Sequence, residues 1–194
     1  MEIDKKIIEE NKRLVEKYPF LIPYEDENFD VLDEEKYDYS FTFLDEIPSG
    51  WKKCWGELLC QDLKEELERC NFLDKYKIIQ MKEKYGQIRI YDNGVPVDCK
   101  VPEIITKYER ISEYTCINCG AFPDVRMTRG WICPICKDCY DKNKYYTKGF
   151  EENTSENPFE PIITLKRYSK DEGETTIKYD ITDIANRIKE RNKK

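Results

Sequence analysis

Nine cysteines and no histidine set the chemical options of this 194-residue chain. Cys116-Ile-Asn-Cys119-Gly120 is followed, after fifteen residues, by Cys136-Lys-Asp-Cys139, with Cys133 just ahead of the second pair. A C-x2-C turn lets two sulfurs face one point while backbone N–H groups aim at the thiolates, and Zn2+ takes four soft ligands in a tetrahedron. Two such pairs predict one zinc ion held by Cys116, Cys119, Cys136 and Cys139. Gly120 fits the first knuckle, because the residue after such a turn often takes a positive φ that only glycine adopts freely. Cys133 with Cys136 is the rival second pair; Pro134 beside Cys133, and a helical pattern that starts at Cys136, favour Cys139 as the closing ligand. Four thiolates leave no coordination position open, so the metal is expected to be structural, holding a segment too small to bury its own core.

The lack of histidine removes the usual general base near neutral pH, every Ser-His or Cys-His nucleophile pair, and every metal site of mixed cysteine and histidine type. A non-enzymatic protein is therefore expected. A metal-dependent nuclease using Glu83 and Asp92 ranks last, since nucleases built on such fingers depend on histidine. The remaining cysteines, Cys54, Cys60, Cys70 and Cys99, read as core thiols. An odd cysteine count behind an amino terminus without a signal-peptide pattern argues against a disulfide framework and for a reducing compartment, the cytoplasm. No stretch is long and apolar enough for a membrane span.

Charge is uneven. The net value is −7, and residues 1–50 hold 15 Asp and Glu against 6 Lys and Arg. An acidic face, or an acidic patch that docks on a basic protein, follows from the run Glu25 to Asp38. Only the cysteine module is locally basic, with Arg126, Arg129, Lys137, Lys142, Lys144 and Lys148. A nucleic-acid role would use these residues. A second cluster, Lys82, Lys84, Arg89 and Tyr91, could meet an anion or an acidic partner; its plainer reading is a solvated hairpin whose charges cross-pair with Glu83.

The elements that position these residues follow from periodicity. Ile3, Ile7, Ile8, Leu14 and Val15 predict a helix over 2–17, and an irregular aromatic-rich segment runs from Pro19 to Pro48. Ser49 is the expected N-cap of a core helix carrying Trp51, Trp55, Leu58, Leu59, Leu63, Leu67 and Cys70 on one face. Tyr76 to Glu83 and Gln87 to Tyr91 read as a hairpin about Tyr85-Gly86, and residues 102–112 as a helix with Ile104, Ile105, Tyr108 and Ile111 inward. Within the finger, strands at 125–128 and 131–133 should turn at Arg129-Gly130, with a helix from Cys136. That order matches a treble clef; a zinc ribbon is the alternative. Glu151 to Pro158 reads as a loop, 162–168 and 175–181 as a second hairpin, and a helix capped by Thr182 closes the chain.

Tyr18-Pro-Phe-Leu, Asp38-Tyr-Ser, Trp51 with Gly56-Glu57, Lys82-Glu-Lys-Tyr-Gly86 leading to Arg89-Ile-Tyr91, Thr115-Cys-x2-Cys-Gly120, Arg126 and Trp131 together resemble a family of small proteins from phages, prophages and their bacterial hosts. The similarity covers about residues 18–140. In that family the last two ligand places look like Cys-x2-Cys or Cys-x2-His, which fits Cys136 and Cys139 and leaves Cys133 as a departure. The resemblance implies a mobile-element accessory protein in the host cytoplasm and supplies no reaction.

The expected fold is α+β, with helices packed on small antiparallel β-hairpins and an embedded treble-clef-like zinc finger with four cysteine ligands. Residues 1–115 would form the body, 116–149 the finger, and 150–194 a hairpin and helix packed on the body. The expected function is to bind a host protein, a defence or regulatory factor; the alternative is a nucleic-acid-binding accessory protein. Candidate binding residues are Lys82, Lys84, Arg89, Tyr91, Arg126 and Arg129.

Overall fold

The computed structural model describes residues 5–23, 37–169 and 173–193. Ile3 and the acidic run up to residue 36 lie outside them. Within the described residues the chain is α+β, three small antiparallel sheets among helices.

The helix Lys5–Lys17 (α1) packs Leu14 and Val15 inward, but its third buried position is Asn11, which donates from Nδ2 to the Tyr39 carbonyl at 3.0 Å. Ile7, expected inward, is exposed. Between Pro19 and Pro48 the described chain forms two short 3-10 turns, Pro19–Leu21 and Phe43–Asp45, which bury Phe20, Leu21, Phe43 and Leu44.

The central helical run 49–69 (α2) begins as Ser49–Trp51, widens through a π turn at Lys52–Gly56, and continues as Glu57–Arg69. Its predicted face is right: Trp51, Trp55, Leu59, Leu63 and Leu67 are fully buried. Ser49 is not its N-cap. Pro48 occupies that place without a side-chain bond, and the Ser49 hydroxyl instead faces the Asn118 carbonyl at 3.4 Å. Asn71, at φ 53°, ends the run, and the Phe72 N–H reaches back to the Leu67 carbonyl at 2.8 Å, closing the last turn as a left-handed cap does.

Strands Ile78–Lys84 (β1) and Gln87–Asp92 (β2) pair antiparallel, burying Ile78, Met81 and Ile88. Helix Val101–Glu113 (α3) lies along β2 and shields its edge, with the Ile88 N–H bonded to the Ser112 hydroxyl at 3.0 Å. Tyr108 and Ile111 are buried, while Ile104 and Ile105 pack at the margin.

Two of the cysteines expected to be separate core thiols, Cys70 and Cys99, form a disulfide, their Cα atoms 5.8 Å apart. The intervening β1–β2 hairpin returns the chain to the end of α2, a meeting that sequence spacing does not display. Glu66 braces the same junction, accepting from the Lys100 N–H and from Arg69.

The strands of the finger lie at Arg126–Thr128 (β3) and Pro134–Ile135 (β4), the second later than expected, and helix Lys137–Lys142 (α4) follows. The stretch expected as a loop from Glu151 is instead a short helix, Phe150–Asn153 (α5), and a strand, Thr154–Ser155 (β5). β5 pairs with the free edge of β3 and so completes the finger's sheet. This strand satisfies backbone groups that β3 would otherwise leave open.

Ile162–Ser169 (β6) and Gly173–Asp180 (β7) form the second hairpin, and helix Thr182–Arg191 (α6) buries Ile184, Ala185 and Ile188. Thr182 is its first residue rather than its cap: Ile181 holds the N-cap position without a side-chain bond, and the Asp180 carboxylate before it accepts the Thr182 N–H at 2.8 Å. Arg187 grips Asp62 of α2 with both terminal nitrogens, at 3.0 and 2.7 Å, and the Tyr108 hydroxyl donates to the same carboxylate at 2.7 Å. Three helices thus meet on one largely shielded ion pair, where truncating a single partner would strand a charge.

Candidate metal centre

The Cys116, Cys119, Cys136 and Cys139 sulfurs all lie within 4.8 Å of one another, with Cys119 Sγ and Cys136 Sγ 3.6 Å apart. A tetrahedron of metal–thiolate bonds of about 2.3 Å has sulfur–sulfur edges of roughly 3.8 Å. The four side chains therefore already stand at ligand spacing.

Two different local structures deliver them. The first pair sits on a knuckle in which Gly120 N–H bonds the Cys116 carbonyl at 3.0 Å, Cys116 N–H bonds the Ala121 carbonyl at 2.8 Å, and Gly120 takes φ 82°. The Ala121 N–H points at Cys119 Sγ at 3.4 Å, a dipole that favours the thiolate. The second pair sits at a helix start: Cys136 is the extended residue before α4, and Cys139 lies in the first turn. The Ile117 N–H reaches the Pro134 carbonyl at 2.9 Å, fixing one pair relative to the other. Cys116 and Cys136 are buried, Cys139 is half-buried and Cys119 is exposed.

Cys133, the rival ligand, is turned away. Its buried sulfur neighbours the Thr128 hydroxyl at 3.4 Å and the Tyr146 hydroxyl at 3.9 Å. Thr128 also accepts the Cys133 N–H at 2.9 Å, which pins that residue into the β3–β4 connection.

The apolar support around the site is thin. Val125, Ile135 and Tyr140 are buried with the ligands, and Tyr146 and Phe150 pack against them; the Tyr140 and Tyr146 rings stack with centroids 4.3 Å apart. Of the apolar residues the sequence offers within the finger, Phe122 packs on the main core against Phe159, and Trp131 and Ile132 are exposed.

The first knuckle docks on the start of α2. Gly50 N–H donates to the Ile117 carbonyl at 3.1 Å. A Cβ at Gly50 would stand 2.2 Å from the Cys116 carbonyl oxygen and 2.7 Å from Gly120 N, so only glycine permits this approach. Thr115, immediately before the first ligand, receives both indoles: Trp51 Nε1 donates to its carbonyl at 2.9 Å and Trp55 Nε1 to its hydroxyl at 3.1 Å. The tryptophan spacing on α2 and the Thr-Cys pair before the knuckle, distant in sequence, are one joint. Sequence reasoning placed both tryptophans in the core and missed these polar links; the paired indole N–H groups on a buried face were the available signal.

The candidate binding residues divide. Arg89 pairs with Glu109 at 3.0 Å. Arg126 donates to Thr154 at 2.8 Å and pairs with Glu151 at 3.1 Å, and Arg129 donates to the Glu152 carbonyl at 3.2 Å. These three arginines brace the fold. Lys82 and Lys84 do not cross-pair with Glu83, which accepts the Gly86 N–H at 2.6 Å. Each ammonium lies over a tyrosine ring, Lys82 over Tyr91 and Lys84 over Tyr85. Glu83 and Asp92 cannot share a metal: Asp92 pairs with Ile78 in the ladder, and a five-residue offset along a strand separates the two carboxylates by about 15 Å. Among the described residues no helix is long and apolar enough to cross a membrane.

Comparison with protein-family models, with curated proteins and with solved structures finds no match to the chain.

Proposed function

We propose that the chain is a non-enzymatic binding protein stapled by one structural Zn2+ on Cys116, Cys119, Cys136 and Cys139, in a treble-clef-like finger. The observation that carries this reading is the convergence of four thiol sulfurs at ligand spacing, a donor set that suits zinc and leaves no position for substrate. Knuckle, hairpin and a second pair at a helix start support the treble clef over a ribbon, in which both pairs would sit on hairpin turns. Elemental analysis of the purified protein should find one zinc per chain; a metal-free folded protein would refute the reading.

In this account the metal holds a surface, and the surface does the work. The resemblance to phage and prophage proteins supports a host protein as partner, a defence or regulatory factor met in the host cytoplasm. Thiolate ligands and the unpaired Cys54, Cys60 and Cys133 suit that reducing compartment, whereas the Cys70–Cys99 disulfide counts against it. Affinity capture from host lysate by zinc-loaded protein, lost with Cys119→Ser, is the expected result; equal capture by both would contradict it. A nucleic-acid partner is the second reading, favoured by the lysines and rings of the β1–β2 hairpin.

A further inference from the structure

We propose that the outer face of β1–β2, together with the β3–β4 turn, is a platform for single-stranded nucleic acid. The inference rests on the reading that the protein is a non-enzymatic binder. Strand register places Lys82 and Lys84 on the face opposite buried Met81 and Ile88, with Tyr91 on the same outer face. Lys82 Nζ is 5.2 Å from the Tyr91 ring centroid and Lys84 Nζ is 5.7 Å from that of Tyr85. Among the described residues neither ammonium has a carboxylate partner.

The finger extends this face. A Cβ at Gly86 would fall 2.6 Å from Met127 Cε, 3.3 Å from Pro134 Cδ and 3.5 Å from Cys133 Cα, so the Tyr85-Gly86 turn sits directly against β3 and β4. From the connection between those strands projects Trp131, 81% exposed, while Tyr85 is 71% exposed. Thr128 holds that connection in place by bonding to the Trp131 carbonyl.

Exposed apolar groups that cluster within a polar rim mark interaction sites. Here two exposed rings, Tyr85 and Tyr91, lie beside two lysines, and the exposed Trp131 projects from the connection that packs against the same turn. A single strand supplies both complements: unpaired bases with free π faces for Trp131, Tyr85 and Tyr91, and phosphates for Lys82 and Lys84. A duplex keeps its bases stacked on one another and offers these rings nothing.

The test is fluorescence anisotropy of labelled oligothymidylate and oligouridylate, about 20 nucleotides long, titrated with zinc-loaded full-length protein from about 20 to 200 mM salt. Binding of either oligonucleotide is expected, weakening as salt rises. Lys82→Gln with Lys84→Gln should reduce the slope of log affinity against log salt by about 1.4. Trp131→Ala and Tyr85→Asn, the latter chosen because asparagine tolerates positive φ, should each weaken binding at least about fivefold. Lys166→Gln with Tyr168→Ala, on the separate C-terminal hairpin, should change nothing. The platform is overturned by absence of binding at the lowest salt, by equal or tighter binding of a duplex of the same length, or by binding that these variants leave intact. Retention of poly-glutamate with neither oligonucleotide bound would overturn it in favour of an acidic protein partner. Circular dichroism and zinc content establish that each variant is folded. Cleavage of the oligonucleotide would overturn the non-enzymatic reading and this inference together, whereas no binding by zinc-loaded protein overturns the platform alone.

Discussion

Through its carbonyl and hydroxyl Thr115 makes three buried hydrogen bonds at the joint between finger and body, beside the bond from its N–H to the Ser112 carbonyl. Its carbonyl accepts from Trp51, its hydroxyl accepts from Trp55, and the same hydroxyl donates to the Ile111 carbonyl at 2.8 Å. Thr115→Val keeps the volume and strands the Trp55 N–H, so it should cost about 1–3 kcal/mol in urea unfolding; a change below about 0.5 kcal/mol would show that the joint does not depend on this bond. Gly50 acts through what it lacks. Gly50→Ala must push the first knuckle away, because backbone atoms of Cys116, Ile117 and Gly120 occupy the place of the added methyl. A loss of about 1–3 kcal/mol is expected, with weakened metal retention measured by competition with a chromophoric chelator. Unchanged retention would place the strain elsewhere.

At the scale of elements, the junction of α2 with α3 is held by Glu66 as well as by the Cys70–Cys99 disulfide. Arg69 beside Glu66, with help from the Lys100 N–H, lowers its carboxyl to a pKa of about 2. The unfolded carboxyl titrates near about 4.3. A depressed folded value means that this contribution is complete above the unfolded value and is lost as pH falls through the folded one. Stability should therefore decline between about pH 4.5 and pH 2, and Glu66→Gln should be less stable at neutral pH and show a shallower acid decline; parallel acid-denaturation curves would contradict this. These elements also show what sequence could and could not reveal. Cys116, Cys119, Cys136 and Cys139 were legible because ligand pairs declare themselves by local spacing, and the 49–69 helix because its apolar residues repeat at helical period. Cys70–Cys99 and the pairing of β5 with β3 join segments far apart in the chain, and nothing in either segment alone marks the other. The Asp180 bond to the Thr182 N–H, two residues on, is a local pattern that sequence can carry, but Thr182 is the more usual capping type. Ile7 misled for a different reason: helical period fixes a face, whereas burial needs something for that face to meet.

Across the whole molecule, the main core gathers residues from α1, α2, the first hairpin, α3 and α6, while the finger's own cluster is small, with Val125, Ile135 and Tyr140 buried beside its cysteine pairs and Cys133 and Pro134 buried next to them. So few apolar groups cannot offset the entropy of ordering the segment from Cys116 to Cys139. In the proposed reading metal binding supplies the difference, and through Gly50 and Thr115 it also steadies the start of α2. Chelation should therefore lower the melting temperature of the entire protein rather than release a separate module, and calorimetry should show one shifted transition; an unshifted body transition would mean that finger and body are uncoupled. The central claim is most directly tested by zinc stoichiometry and thermal melting of Cys139→Ala and Cys133→Ala side by side with the parent protein. Cys133→Ala should keep one zinc per chain and its sensitivity to chelator, whereas Cys139→Ala should lose tight zinc and melt like the chelated parent. The reverse pattern, zinc kept without Cys139 and lost without Cys133, would contradict the account.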